Sequence, residues 1–200
     1  MSLFIAVDGP NGAGKTTLVE AVVKKIKERK IEIVQTREPT DTELGRFVRG
    51  ISEFVAKESL ACLVSADRYE HLNNLILPSL EAGKIVICER YLASSLVFQR
   101  MDGVETEYIL SVNGKIKKPD IYFILNAPAE VLYDRLHERS ELTRFEKALE
   151  NQKKEEKYYR ECIKLLEELD IQVYTVDMTM KIENCIEFVV DKIIDMLGEH

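Results

Sequence analysis

The chain has no excess of positive charge: 28 Lys and Arg stand against 35 Asp and Glu, a formal net charge of −7. Nucleic-acid binders usually carry a basic balance, so no nucleic-acid partner is expected. No uninterrupted apolar run approaches the ~20 residues that span a bilayer, so no membrane segment is expected either. Cysteine is scarce and has no metal-type spacing; Cys62, Cys88, Cys162 and Cys185 fall at apolar positions of expected helices and one strand, which reads as reduced core residues. Internal repeats, low-complexity tracts and long linkers are absent. The apolar pattern begins at Leu3, which leaves no room for a secretory leader, and a cytoplasmic location is expected.

What the chain does contain is an alternation of apolar runs and helical patterns. Its 200 residues, 46% of them hydrophobic, suit one domain, 1–200, with a substantial core. Strand-like runs cover Leu3 to Val7, Ile31 to Gln35, Ile85 to Cys88, Ile121 to Leu125 and Ile171 to Val176. Helical patterns lie between them. One stretch runs from about Thr42 to Ala82, kinked at Pro78 and ended by Gly83. Pro128 suits the first turn of another, to about Glu138. A long charged helix is expected from about Phe145 to Leu169, and an amphipathic one from Ile182 closes the chain. Buried strands separated by helices imply an α/β fold with a parallel sheet covered on both faces. Such sheets bind ligands beyond the carboxyl ends of their strands, where Asp8, Arg37, Glu38, Glu89, Arg90 and Asn126 fall.

The strongest local signal follows the first strand. Gly9-Pro10-Asn11-Gly12-Ala13-Gly14-Lys15-Thr16-Thr17 has four residues between Gly9 and Gly14, then Lys and Thr, and a helical pattern opens directly after it. The glycines let backbone N–H groups wrap phosphate oxygens, and the helix adds its positive dipole end. Lys15 supplies a mobile charge for the outer phosphates, and Thr16 a hydroxyl for magnesium. A polyphosphate and Mg2+ are therefore the expected ligands. His71 reads as a packing or capping histidine, with no second metal ligand at a suitable spacing, and His137, Arg29 and Arg160 as solvent-facing.

Four further blocks follow in order: Thr36-Arg37-Glu38-Pro39, Ser65 to His71 (S-A-D-R-Y-E-H), Glu89 to Gln99 (E-R-Y-L-A-S-S-L-V-F-Q) and Lys118 to Leu125 (K-P-D-I-Y-F-I-L). With the phosphate loop they cover nearly the whole chain, which resembles the thymidylate kinase family. The resemblance implies a three-layer P-loop NTPase fold with strand order 2-3-1-4-5, a homodimer, and phosphoryl transfer from Mg-ATP to dTMP, giving dTDP. It implies that Arg37, Arg49 and Arg90 hold the acceptor phosphate and that Arg68 reaches the carbonyl edge of the base. Ser95 and Gln99 contact the base, and Phe98 crowds the sugar's 2′ position. Asp8 and Val64 belong to the substrate side as well. Glu89 joins Thr16 near magnesium. Arg139 to Glu146 becomes a lid over ATP; because the loop carries Gly12, a lid arginine, Arg144 first and Arg139 second, serves the reaction beside Lys15 and Arg90.

Several positions depart from the family pattern. Asn11 stands where Asp or Glu is usual, Glu89 where Asp is usual, Val64 where a Phe stacks on the base, and Asp8 where Glu is usual. Base preference is therefore open. Two other readings fit the motifs: a deoxynucleoside kinase, whose central motif is often Glu-Arg, or a P-loop nucleotide-binding protein without catalysis. A GTPase switch is disfavoured, because no N-K-x-D motif is present.

Overall fold

A computed structural model of the chain describes residues 2–138, 142–143 and 145–198. It has five strands: β1 (Leu3–Asp8), β2 (Ile33–Arg37), β3 (Ile85–Glu89), β4 (Ile121–Asn126) and β5 (Gln172–Asp177). They form one sheet in the order β2-β3-β1-β4-β5, with every pairing parallel. This is the sheet order that the resemblance implies. The helices are α1 (Lys15–Glu28), α2 (Glu43–Ile51), α3 (Lys57–His71), α4 (Leu77–Glu81), α5 (Leu92–Met101), α6 (Thr106–Val112), α7 (Ala129–His137), α8 (Leu149–Glu168) and α9 (Ile182–Leu197). None of the described helices is long and apolar enough to cross a membrane.

Strand alternation explains the layers. Leu3, Ile5 and Val7 of β1 point to one face and pack with Leu18, Val22 and Ile26 of α1 and Val189 and Ile193 of α9. Phe4 and Ala6 point to the other face, into a core with Leu96 of α5 and Cys162 and Leu166 of α8. Both faces of the central strands are thus covered, and β1 reads as an unbroken apolar run because every residue in it is buried.

Several boundaries differ from the sequence reading. The stretch from Thr42 to Ala82 is not one helix: α2 and α3 are separated at residues 52–56, and a π-helical turn, Leu72–Ile76, precedes Pro78. Proline lacks the N–H that a regular helix would offer to Asn74, and the widened turn accommodates its ring. Gly83, at φ 80°, ends the segment as expected. Pro128 caps α7 from an extended conformation, where its missing N–H costs nothing, and does not enter the first turn. Helix α8 begins at Leu149, after a turn over residues 145–147. Cys62 is exposed, its sulfur 3.2 Å from the Tyr108 hydroxyl, so only Cys88, Cys162 and Cys185 are the buried thiols expected.

The phosphate loop leans on β4. A Cβ on Gly9 (φ 146°) would lie 2.6 Å from the Leu125 carbonyl oxygen, a contact no side chain tolerates. Gly50, in α2, faces open space. Gly9→Ala should therefore cost about 3 kcal/mol or more in urea unfolding, with strain and clash combined. Gly50→Ala should gain roughly 0.5–1 kcal/mol, because it only restricts the unfolded chain.

Candidate active site

The site is assembled at the carboxyl ends of β1, β3 and β2. Gly12 and Gly14, at φ 81° and 85°, turn the loop from β1 into α1, whose first residue is Lys15. Lys15 is buried, and its ammonium donates to the carbonyls of Gly9 (2.8 Å) and Pro10 (2.7 Å). Burial, with the positive charge of Arg90 second, lowers its pKa to about 7. On the exposed side of the loop, the Thr16 hydroxyl donates to the Glu89 carboxylate at 2.9 Å, so the two expected magnesium residues meet. Hydroxyl and carboxylate oxygens are the hard donors that magnesium takes. Thr17 is exposed beside Thr16, and Ala13 packs beneath the loop in the core.

Arg90 follows β3 in the left-handed region, at φ 65°, which a residue other than glycine adopts only at a cost. The turn is fixed by its own N–H, which donates to the Val7 carbonyl at 2.8 Å. Its guanidinium donates to the Asn11 carboxamide oxygen at 2.6 Å and to the Ser94 hydroxyl at 3.2 Å, and lies over the Phe98 ring. Asn11 thereby belongs to the phosphate loop and to a second cavity at once.

That cavity, of about 220 Å³, is lined by Asn11, Arg49, Val64, Arg68, Arg90, Ser95, Phe98 and Gln99, all expected from the sequence. Phe145 joins them, its ring centroid 5.3 Å from that of Phe98. Arg68 is almost wholly enclosed, 1% exposed, and most of its donors are committed. Nε donates to Glu38 (2.8 Å), Nη1 to the Asn113 side chain (2.7 Å), and Nη2 to the Tyr91 carbonyl and the Ser95 hydroxyl. Of five N–H groups, one on Nη1 is left for a ligand. Among the described residues, the Gln99 side-chain oxygen has no hydrogen-bond partner although it is buried.

Two expected site residues lie elsewhere. Arg37 does not line this cavity; it lines an adjacent one of about 700 Å³ with Thr16 and Glu89. It is linked to Arg49 through the exposed Asp41 carboxylate, 2.8 Å from Arg37 and 3.3 Å from Arg49. Asp41 is held below the usual carboxylate range, first by its hydrogen bond from Arg37. Asp8 lines neither cavity and is fully buried, because its carboxylate is consumed by protein donors from Tyr91, Ser94, Tyr122 and Tyr159. The two lid arginines, Arg139 and Arg144, lie outside the described residues.

His71 is buried and shares hydrogen bonds with Glu38 (3.2 Å) and Thr36 (2.7 Å). Ligand atoms of Glu38, His71 and Cys88 come within 4.8 Å of one another, a neighbourhood that spacing alone did not reveal. The Arg68 guanidinium already neutralises Glu38 there, which suits a hydrogen-bonded packing histidine better than a cation site. His137, Arg29 and Arg160 are exposed, as expected.

Sequence reasoning missed Glu155. It is buried on α8, and its carboxylate accepts the Asn11 backbone N–H at 2.8 Å. Burial pushes its pKa up to about 7, against the opposing pull of the Asn11 N–H, Lys15 and Arg90; Glu146 adds to the rise. The native state then holds a proton that the unfolded chain releases near pH 4.3, so stability from this group falls as pH rises from there through about 7. The melting temperature of Glu155→Gln minus that of the wild type should therefore increase from about pH 5 to about pH 8. A pH-independent difference would contradict the raised pKa.

The chain is similar throughout to proteins of one kind. A family model described as thymidylate kinase matches residues 7–189. A probable thymidylate kinase of Pyrococcus abyssi is 36% identical over 179 residues, covering 84% of this chain and 86% of that one. One of Thermococcus kodakarensis is 36% identical, covering 84% and 88%. A thymidylate kinase of Caldicellulosiruptor saccharolyticus is 39% identical over 141 residues, covering 66% and 68%. A phosphate loop on β1, an arginine-lined cavity sharing its wall and a match over most of the length agree: the chain belongs to the thymidylate kinase family.

Proposed function

We propose that the chain transfers the γ-phosphoryl group of ATP to dTMP, giving ADP and dTDP. The observation that carries this reading is the 2.6 Å bond from Arg90 to Asn11, which joins the donor loop to the arginine-lined cavity across a single side chain. Two anions held on either side of that contact stand end to end. An oxygen of the acceptor phosphate can then attack the γ-phosphorus in line as the bond to the ADP oxygen breaks.

Positioning and charge neutralisation do most of the work in such a transfer. ATP would lie on the loop amides and on Lys15, whose ammonium would leave the Gly9 and Pro10 carbonyls for the outer phosphates. Thr16 and Glu89 would hold Mg2+, which neutralises charge on the phosphates. Arg90 and Arg49 would grip the acceptor phosphate with their planar forks. Arg37 would approach from the neighbouring cavity once phosphate replaces Asp41 between it and Arg49. The lid, about 139–146, would exclude water and deliver Arg144 or Arg139 to the transferring group.

The base end supports thymine. The unpartnered Gln99 oxygen matches the thymine N3–H, and the remaining Arg68 N–H matches its O4. Cytosine presents an acceptor and a donor at those positions and leaves both protein groups unpaired. Phe98 closes the space a ribose 2′-hydroxyl would need, with Phe145 packed on it. The same reading carries a single kinase domain, a homodimer and a cytoplasmic setting.

A coupled ADP-release assay across dTMP, dUMP, dCMP, UMP and thymidine tests this; dTMP should be the preferred acceptor, and turnover of thymidine alone would overturn it. Lys15→Ala should lower kcat by ~10²-fold or more with little loss of melting temperature. Arg49→Ala should raise the dTMP KM about tenfold or more and leave the ATP KM within about twofold; equal losses for both nucleotides would contradict its placement.

A further inference from the structure

Helix α8 is densely charged, yet one of its stripes is buried. Gln152, Glu155 and Tyr159, spaced three and four residues apart, share that face. Each reaches a different functional segment. The Gln152 amide donates to the Phe145 carbonyl at 3.1 Å, at the edge of the lid segment. Glu155 accepts from the Asn11 N–H at 2.8 Å, on the phosphate loop. The Tyr159 hydroxyl donates to Asp8 at 2.9 Å, at the end of β1.

These contacts close a circuit. From Glu155 it runs to the Asn11 amide, and from the Asn11 carboxamide to Arg90 (2.6 Å). Arg90 donates to Ser94 (3.2 Å), Ser94 donates to Asp8 (2.6 Å), and Asp8 accepts from Tyr159, back on α8. Glu155 is the member of this ring held at greatest expense. Its carboxylate is 0% exposed, and among the described residues its second oxygen has no hydrogen-bond partner. Removing this carboxylate would leave the Asn11 N–H without its acceptor, so the loop at Asn11 depends on it directly.

We propose that Glu155 is a positioning residue for the acceptor: by fixing the Asn11 amide it orients the Asn11 carboxamide and, through it, the Arg90 fork, so that the monophosphate depends on Glu155 more than ATP does. This rests on the reading that Arg90 and Arg49 hold the acceptor phosphate. The selectivity for one nucleotide follows from geometry. Asn11 lines the arginine-walled cavity, whereas the helix-opening amides from Gly14 onward, which would serve ATP, lie beyond the Glu155 contact.

The test uses the full chain with Glu155→Leu, Glu155→Gln, Asn11→Ala, the Glu155→Leu/Asn11→Ala double variant and Arg49→Ala. Melting temperatures and steady-state constants for dTMP and ATP are measured for each. Glu155→Leu should raise the dTMP KM about tenfold and hold the ATP KM within about twofold. Glu155→Gln, which keeps a carbonyl acceptor for the Asn11 N–H, should stay within about threefold of the wild-type dTMP KM. The double variant should lose no more dTMP affinity than Asn11→Ala alone, because both substitutions cut the same path. An unchanged dTMP KM in Glu155→Leu, or multiplicative losses in the double variant, would overturn the proposal. So would a lower melting temperature with equal losses for both nucleotides, which would make Glu155 a structural strut. If Arg49→Ala raises the dTMP KM and Glu155→Leu does not, this inference alone fails; if Arg49→Ala leaves it untouched, the acceptor-site reading itself fails.

Discussion

The buried carboxylate of Asp8 is the constraint on which the site depends. It accepts five hydrogen bonds, from the N–H groups of Tyr91 and Ser94 and the hydroxyls of Ser94, Tyr122 and Tyr159. Those donors come from the turn after β3, from α5, from β4 and from α8. One side chain at the end of β1 therefore fixes the angle at which the phosphate loop leaves the sheet and the path on which Arg90 arrives. A buried carboxylate so fully paired is stable as a unit, with donors enough for about all four of the lone-pair positions its two oxygens offer.

The charged groups of the cleft are paired within the protein. Lys15 turns back onto two carbonyls of its loop, Thr16 donates to Glu89, and Asp41 bridges Arg37 and Arg49. Among the described residues, Lys15, Arg37, Arg49 and Arg90 each have an oxygen partner of the protein's own. Substrate binding in this picture is an exchange of oxygens more than a filling of empty charge, which limits the desolvation that each cation must undergo when phosphate arrives.

The sheet and the phosphate loop were legible in the sequence because both are written locally. Leu3 to Val7 can only be a buried strand, and the spacing of Gly9, Gly14 and Lys15 is meaningful without any tertiary partner. Most of the arginine-lined cavity was legible through its ordered blocks, from Arg49 to Gln99. What was hidden is tertiary. Glu155 is one acidic residue among many on α8, and nothing in a run of like charges says which one turns inward. Cys62 has the neighbours of a core residue but falls on the outer side of α3. Asp8 and Arg37 follow strands, as functional residues do, yet Asp8 is spent on internal donors and Arg37 opens onto the next cavity. Only the folded partners decide between those outcomes.

The enclosure of Arg68 has a consequence for selectivity. With its guanidinium locked by Glu38, Asn113, Tyr91 and Ser95, the remaining N–H has a fixed direction before any nucleotide enters. Under the proposed reading, a base docking against it would cost Arg68 no rotamer entropy, because the direction of that N–H is set during folding.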